Sequence, residues 1–197
     1  MIVPDLWQAL HPVIAAFREL GIDYYIGGSV ASSAYGIARS TLDVDVIADL
    51  RETHIDTLVS RLQTDYYIDS RMIHRAVATK TTFNVIHLAT MIKVDVFVLK
   101  VSAYDQTAFQ RRRTDSLVEE TASLISFAAP EDVILHKLGW YRLGGEVSDR
   151  QWCDVLGVLQ VQRGALDMDY LRTWAERLGV SDLLQRALSS VPPSSVG

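Results

Sequence analysis

The chain has 197 residues, 49% of them hydrophobic and 22% charged, with a net charge of −5. That length and composition allow one sizeable core, or a core with an appendage, and exclude both a disordered chain and a small scaffold that needs cross-links. The single cysteine, Cys153, excludes an internal disulfide framework and a multi-cysteine metal knot, and the acidic balance argues against sequence-independent coating of nucleic acid.

At the N-terminus, MIVPDLWQALHPVIAAF has neither a basic leader nor an unbroken apolar core, and no window reaches the roughly 20 apolar residues of a membrane span. The expectation is a soluble, cytoplasmic protein with no membrane partner. Over residues 5–20, Leu6, Leu10, Val13, Ile14 and Phe17 recur at three- and four-residue steps, which predicts an amphipathic helix, started or kinked at Pro12 and ended by Gly21. DYYIGG then reads as a short strand running into a glycine turn. Residues 29–37, rich in Ala and Ser, suit a short, closely packed helix, and LDVDVIADL is a strand.

THIDTLVSRLQ carries Ile55, Leu58, Val59 and Leu62 on one helical face, with Thr53 as its cap. YYID is a strand candidate, whereas SRMIHRAVATK does not decide between helix and strand. TTFNVIHLA and IKVDVFVL are β-rich and close in sequence, so they read as antiparallel neighbours, and SLVEETASLISFA adds a hairpin. At AAPEDVILHKLGWYRLGG the texture changes: Pro130 opens a helix, Glu131 and Asp132 suit its first turn, and Gly144-Gly145 stop it. SDRQWCDVLGVLQVQ, LDMDYLRTWAERLG and SDLLQRALSS each begin at or near a capping Ser or Asp. The expected layout is a mixed α/β (α+β) domain over residues 1–129, a helical domain over 130–190 and a disordered tail over 191–197.

Two carboxylates break the apolar run of LDVDVIADL. Asp43 and Asp45 are two apart, so in a strand they project from one face while Val44 and Val46 project from the other. Two like charges this close are unfavourable unless a cation sits with them, and a divalent metal such as Mg²⁺ or Mn²⁺ takes carboxylate oxygens while keeping positions open for water and phosphate. Asp95 repeats the anomaly within IKVDVFVL. If the two strands are neighbours, three acids converge on a site for one or two metals. Gly27 and Gly28 let backbone approach a ligand closely, and Ser29 opens a helix whose first N–H groups form an anion site. The stretch has neither G-x-G-x-x-G nor G-K-[ST], which sets aside dinucleotide and Walker-type sites.

Ile26-Gly27-Gly28-Ser29, thirteen intervening residues, Asp43-Val44-Asp45 and a later strand aspartate, Asp95, resemble the nucleotidyltransferase fold of the DNA polymerase β superfamily. The run Arg39-x-Thr41-x-Asp43-x-Asp45 resembles its AbiEii-like branch, which includes toxins of toxin–antitoxin systems. Pro130-Glu131-Asp132, Lys137 and Asp154 are similar in order to that branch's helical part, so the likeness spans residues 25–159. The resemblance implies a mixed sheet flanked by helices, with a C-terminal helical domain. It implies Mg²⁺- or Mn²⁺-dependent transfer of a nucleotidyl group from a nucleoside triphosphate such as ATP to a hydroxyl acceptor. Asp43, Asp45 and Asp95 would hold metal, with Asp95 also activating the acceptor. Gly27, Gly28, Ser29, Arg39, Thr41, Lys137 and Asp154 would serve the nucleotide, with Lys137 neutralising phosphate charge. The branch implies tRNA or another RNA as acceptor and an antitoxin protein as partner. A small-molecule, aminoglycoside-type acceptor and a catalytically weak, nucleotide-binding regulatory module are the alternatives.

Each residue also has a plainer role open to it. Asp43, Asp45 and Asp95 are equally allowed on a solvated strand face, Ser29 as a helix cap and Lys137 as a solvated helix lysine. Asp154 has Arg142 and Arg150 as candidate partners. Arg111-Arg112-Arg113 reads as a solvated run or as a grip on RNA. His74, His87 and His136 lack ligand spacing and read as structural, Cys153 as a buried apolar residue, and Trp140 and Trp174 as core.

Overall fold

The structure is a computed structural model that describes residues 4–116 and 124–191. Residues 117–123, within the stretch SLVEETASLISFA expected to add a hairpin, and residues 192–197 of the expected disordered tail lie outside the described residues. The chain divides into two compact units, Met1–Val30 with Ser40–Ala128, and Ala31–Arg39 with Ala129–Gly197.

In the first unit, α1 (Pro4–Glu19) buries Leu6, Leu10, Val13, Ile14 and Phe17 and runs through Pro12 without stopping. Gly21, at φ 65°, turns the chain into β1 (Tyr24–Ile26). Next come α2 (Gly28–Tyr35), β2 (Asp43–Ala48), α3 (Ile55–Leu62), β3 (Tyr66–Tyr67), α4 (Ser70–Thr79), β4 (Thr82–His87), β5 (Lys93–Val98), α5 (Ala103–Gln110), β6 (Arg113–Ser116) and β7 (Leu124–Phe127). The strands form one mixed sheet in the order β3-β4-β5-β2-β1-β7-β6. β2 runs parallel to β5 and β1 parallel to β7, and the other neighbours are antiparallel, including the expected pair β4–β5; β7 pairs with β6, which at Arg113–Ser116 lies almost wholly before the stretch expected to form the hairpin.

Strand alternation gives the sheet two chemically different faces. Val44, Val46 and Ala48 of β2, Val94, Val96 and Val98 of β5, and Phe83 and Val85 of β4 are all buried. α1 packs against β5, α4 against β4, and α3 lies between these helices. A further tie holds β3 to α1: Tyr66 Oη donates to the Ala9 carbonyl at 2.8 Å. The opposite positions of β2, β4 and β5, taken up below, are not buried.

Several local expectations need correcting. Thr53 caps nothing; it lies in a single 3₁₀ turn, Glu52–His54, that leads into α3. SRMIHRAVATK resolves as α4, because the Asp69 carboxylate accepts from the backbone N–H groups of Arg71 and Met72 and so starts a helix. Helix α5 has no counterpart among the sequence expectations; Ser102 caps it, its Oγ accepting from Asp105 N at 3.1 Å. Arg112 is not a solvated residue of its run: it pairs with Asp23 at 3.1 Å and lies over the Phe109 ring.

The second unit contains α6 (Pro130–Leu143), α7 (Asp149–Val161), α8 (Met168–Arg177) and α9 (Ser181–Ser190), together with residues 31–39. Ser148 caps α7 and Asp167 caps α8, whereas α9 starts after Val180 with no side-chain cap, so Ser181 does not cap it. Residues 31–39 reach α7 because two glycines remove the obstacle. A Cβ at Gly36 would lie 2.8 Å from Val158 N, and one at Gly157 would lie 3.2 Å from Ile37 N. Gln162 Nε2 then donates to the Tyr35 carbonyl at 3.0 Å. At the start of α6, Glu131 and Asp132 are fully buried, Glu131 Oε1 accepting from Asp167 N at 2.9 Å and Asp132 Oδ1 from Tyr170 Oη at 2.7 Å. Trp174 is core as expected, but Trp140 is 54% exposed and Cys153 is exposed.

Candidate active site

Strand β2 leaves α2 and the turn before it with its polar residues on one face. Thr41 shapes the approach, its Oγ1 accepting from Asp43 N at 3.3 Å and donating to the Asp43 carbonyl at 3.1 Å. The parallel register then pairs Asp43 with Lys93 and Asp45 with Asp95. On the other side of β5, Asn84 of β4 stands opposite Asp95. These alternate positions share a face, so Asp43, Asp45, Asp95 and Lys93 form a two-by-two group, three carboxylates and one ammonium, on the face opposite the valines.

Gly27 and Gly28 set this group against the start of α2. Gly27 N donates to the Asp45 carbonyl at 2.9 Å, which prolongs the β1–β2 ladder by one step. Gly28 sits at φ 53°, and a Cβ there would lie 1.7 Å from Asp45 Oδ2. Only glycine therefore admits the Asp45 carboxylate at this point, where the N–H groups of the first turn favour negative charge. Ser29 is in that first turn.

Lys93 is the member that sequence reasoning passed over. Its Nζ lies 2.8 Å from Asp95 Oδ2, and the Asp95 side chain is only 17% exposed. The hydrogen bond to Asp95 raises the Lys93 ammonium above its ordinary value against the opposing effect of burial, and Asp43 and Asp45 add to the rise. The signal was present in IKVDVFVL, since a residue two before Asp95 in a strand shares its face.

The donor set suits a hard cation: carboxylate oxygens from adjacent strands, an amide from Asn84, and a backbone cradle at Gly28 that a side chain would fill. Among the described residues no three His, Cys, Asp or Glu side chains already converge on one ion-sized centre. Asp95 is turned to Lys93, whose Nζ lies 2.8 Å from its Oδ2.

The helical unit has a polar group of its own. Asp154 of α7 accepts from Arg39 in a fork, Nε to Oδ1 at 2.8 Å and Nη2 to Oδ2 at 2.9 Å, and Lys137 Nζ of α6 lies 2.7 Å from Oδ2. Arg142 and Arg150 are not its partners; Arg142 pairs with Glu146 and Asp182. Lys137 is buried, so it is not a solvated helix lysine. Burial opposes ionisation of Asp154, but the Arg39 and Lys137 donors outweigh it and hold the carboxyl below its ordinary value. The Asp154 hydrogen bond in turn raises Arg39. Among the histidines, His87 is buried, its ring Nδ1 at 2.9 Å from Thr90 Oγ1, and His74 Nδ1 is 2.5 Å from Glu52 Oε1. By unit, Gly27, Gly28, Ser29, Thr41, Asp43, Asp45 and Asp95 belong to the sheet unit, and Arg39, Lys137 and Asp154 to the helical unit.

A mixed sheet with parallel acid-bearing strands beside a glycine turn and helix start is the frame of a nucleotidyltransferase-like fold. Solved structures agree. The antibiotic-resistance factor ANT(2'')-Ia, a solution structure, is 17% identical to this chain, with 90% of this chain and 94% of that one covered and a TM-score of 0.56. An antigenic nucleotidyltransferase-like protein from Paracoccidioides brasiliensis is also 17% identical, with 95% and 94% covered and a TM-score of 0.52. No protein-family model matches the chain, and no curated protein matches it. The fold is nucleotidyltransferase-like. Among the described residues no helix is long and apolar enough to cross a membrane.

Proposed function

We propose that this chain is a nucleotidyltransferase that moves a nucleotidyl group from a nucleoside triphosphate, ATP among the candidates, to a hydroxyl acceptor, with residues 1–129 as the catalytic domain. The observation that carries this reading is the register that sets Asp45 beside Asp95 and Asp43 on the same face, against the Gly28 cradle.

Asp43, Asp45 and Asp95 would hold Mg²⁺ or Mn²⁺, which when bound neutralises phosphate charge and lowers the barrier to displacement at phosphorus. The chain's own residues do the rest. The backbone N–H groups at Gly28 and Ser29 bind phosphate oxygens at the start of α2. An Asp95 carboxylate oxygen takes the proton of the acceptor hydroxyl as that oxygen attacks phosphorus and pyrophosphate leaves. In the helical unit, Arg39 and Lys137, both held on Asp154, are the cations that would meet a phosphate.

For the acceptor, the reading that fits best is a small hydroxyl-bearing molecule of the aminoglycoside type, on the likeness to an antibiotic-resistance factor. The net charge of −5 and the use of Arg112 in an internal ion pair give RNA little to hold. The AbiEii-like run Arg39-x-Thr41-x-Asp43-x-Asp45 favours a second reading, in which tRNA or another RNA is modified by a toxin restrained by an antitoxin.

The test is label transfer from each of four α-labelled nucleoside triphosphates, with Mg²⁺ or Mn²⁺, into an aminoglycoside panel, total RNA and protein, beside an Asp43→Asn Asp45→Asn control. Label that requires the carboxylates supports the enzyme and names the acceptor. A nucleotide-dependent rise in Tm without transfer to any acceptor overturns it in favour of a regulatory, nucleotide-binding module.

A further inference from the structure

The sheet face that carries the acids continues past them, and its chemistry changes on the way. Tyr67 of β3 is registered opposite Ile86 of β4, and Ile86 opposite Lys93 of β5, two residues before Asp95. Paired positions share a face, so Tyr67 and Ile86 stand on the face of Asn84 and Asp95. From Asp95 outward the face runs from carboxylate and amide to an aliphatic chain and then a phenol ring. Leu88 lengthens the apolar end: its N–H donates to the Asp65 carbonyl at 2.9 Å, which carries the β3–β4 ladder one step on, two residues beyond Ile86. The other end of the face is taken, because Tyr25, registered opposite Ile47, meets the Phe109 ring of α5 at 5.7 Å.

Two successive tyrosines show what the fold itself uses. Tyr66 is buried, its hydroxyl on the Ala9 carbonyl and its ring 5.1 Å from that of His87. Tyr67 is 57% exposed, and among the described residues its side chain has no hydrogen-bond or ring partner. Leu88 is 52% exposed. Edge strands are ordinarily blunted with charge, whereas this edge presents an aromatic ring and a leucine continuous with the acid face.

We infer that Tyr67, Ile86 and Leu88 set acceptor specificity: the acceptor is an amphipathic small molecule whose hydroxyl meets Asp95 and whose apolar ring lies on Tyr67. The inference rests on the reading of Asp95 as the group that takes the acceptor's proton, and narrows that acceptor to one with an apolar ring beyond its reacting hydroxyl. Tyr67 is two strands from β5, about 10 Å, which is the span of a sugar ring joined to a second ring. The phenol ring supplies the contact by stacking, so phenylalanine should serve in its place and alanine should not.

The test reads saturation-transfer NMR of phenyl β-D-glucoside and methyl β-D-glucoside on wild type, Tyr67→Phe, Tyr67→Ala and Asp43→Asn Asp45→Asn, beside a Mn²⁺ titration followed by electron paramagnetic resonance. Wild type and Tyr67→Phe are expected to saturate the phenyl protons, Tyr67→Ala to do so about threefold less or weaker still, and the methyl glucoside to give little signal on any of them. Mn²⁺ is expected to broaden the phenyl signals with wild type and not with the double aspartate variant. A phenyl signal that is absent, or equal for Tyr67→Ala and wild type, overturns the inference and leaves the transferase reading standing. So does a Tyr67-dependent signal that Mn²⁺ leaves sharp while wild type binds the ion more tightly than the double variant, since the ring then lies away from the acids. A wild type that binds Mn²⁺ no better than Asp43→Asn Asp45→Asn overturns the metal reading, and the acceptor role of Tyr67 with it.

Discussion

Replacing Gly28 with alanine is the sharpest single perturbation of the sheet unit. Gly28 combines a backbone at φ 53° with a missing Cβ whose place lies 1.7 Å from Asp45 Oδ2. Holding an L-residue in the left-handed region costs about 1–2 kcal/mol. Contacts to real Cβ atoms essentially never fall under 3.0 Å, so the carboxylate must retreat by more than an ångström. Misplacing a reacting group by about 1 Å costs on the order of a hundredfold in rate. Gly28→Ala is therefore expected to lose about 1–2 kcal/mol in urea unfolding and about a hundredfold in label transfer. Gly139→Ala is the matched control: Gly139 lies inside α6, and nothing stands within 4 Å of its added Cβ. It should gain about 0.5–1 kcal/mol, from helix propensity alone. A Gly28→Ala protein that unfolds and transfers label like wild type would refute both the cradle and its service to Asp45.

Asp43→Asn should abolish transfer while leaving the urea midpoint within about 0.5 kcal/mol of wild type, because an exposed strand residue loses charge and no packing. Asp154→Ala leaves the buried Lys137 without its carboxylate and removes the Arg39 fork, and should cost about 3 kcal/mol, whereas Lys137→Met, which keeps the fork, should cost less; paired urea titrations check the order. Asp154 also sets an acid limb. Its folded-state carboxyl lies below the ordinary value, so its contribution is complete above the ordinary carboxylate range and is lost as pH falls through the lowered folded value. Tm plotted against pH should accordingly fall more steeply at acid pH for wild type than for Asp154→Asn. Gly36→Ala, whose Cβ would press on Val158 N and the Gly157 carbonyl carbon at 2.8 and 2.9 Å, should destabilise the helical unit, read as a loss of helical signal at lower temperature.

What could be read from the sequence was whatever obeys a short period. Asp43, Asp45 and Asp95 declared themselves by interrupting valine runs, and the capping residues Ser148 and Asp167 by preceding apolar helical stripes. The misses share a cause: they depend on what lies opposite. Helix α4 has a mixed face until Asp69 supplies the cap, and no period distinguishes the fork of Arg39 on Asp154, 115 residues away, from one of Arg142 or Arg150. Lys93 was legible by strand alternation but drew no attention, because a lysine on a half-exposed strand is ordinary until its neighbour across the sheet is known to be Asp43. Trp140 illustrates the reverse error, for aromatic bulk argues for core only where a helix face is covered, and at Trp140 more than half of the residue meets solvent.

The run from Arg39 to Asp45 distributes three kinds of work over seven residues, and Thr41 is the place to test that division. Arg39 is fixed on Asp154 in the helical unit, Asp43 and Asp45 carry the charge of the sheet unit, and Thr41 Oγ1 bridges the amide and carbonyl of Asp43 without reaching either charged group. Thr41→Val keeps the branched shape and removes only the hydroxyl, so the first residue of β2 loses a local brace worth about 1 kcal/mol. If the brace orients Asp43, transfer falls with little change in KM for nucleotide, and Mn²⁺ binds more weakly. If Thr41 instead touched the nucleotide, KM would rise while Mn²⁺ affinity stayed at the wild-type value. Steady-state kinetics beside a Mn²⁺ titration separate the two, and a rise in KM alone would return Thr41 to the nucleotide-binding set and remove it from the scaffold of the strand.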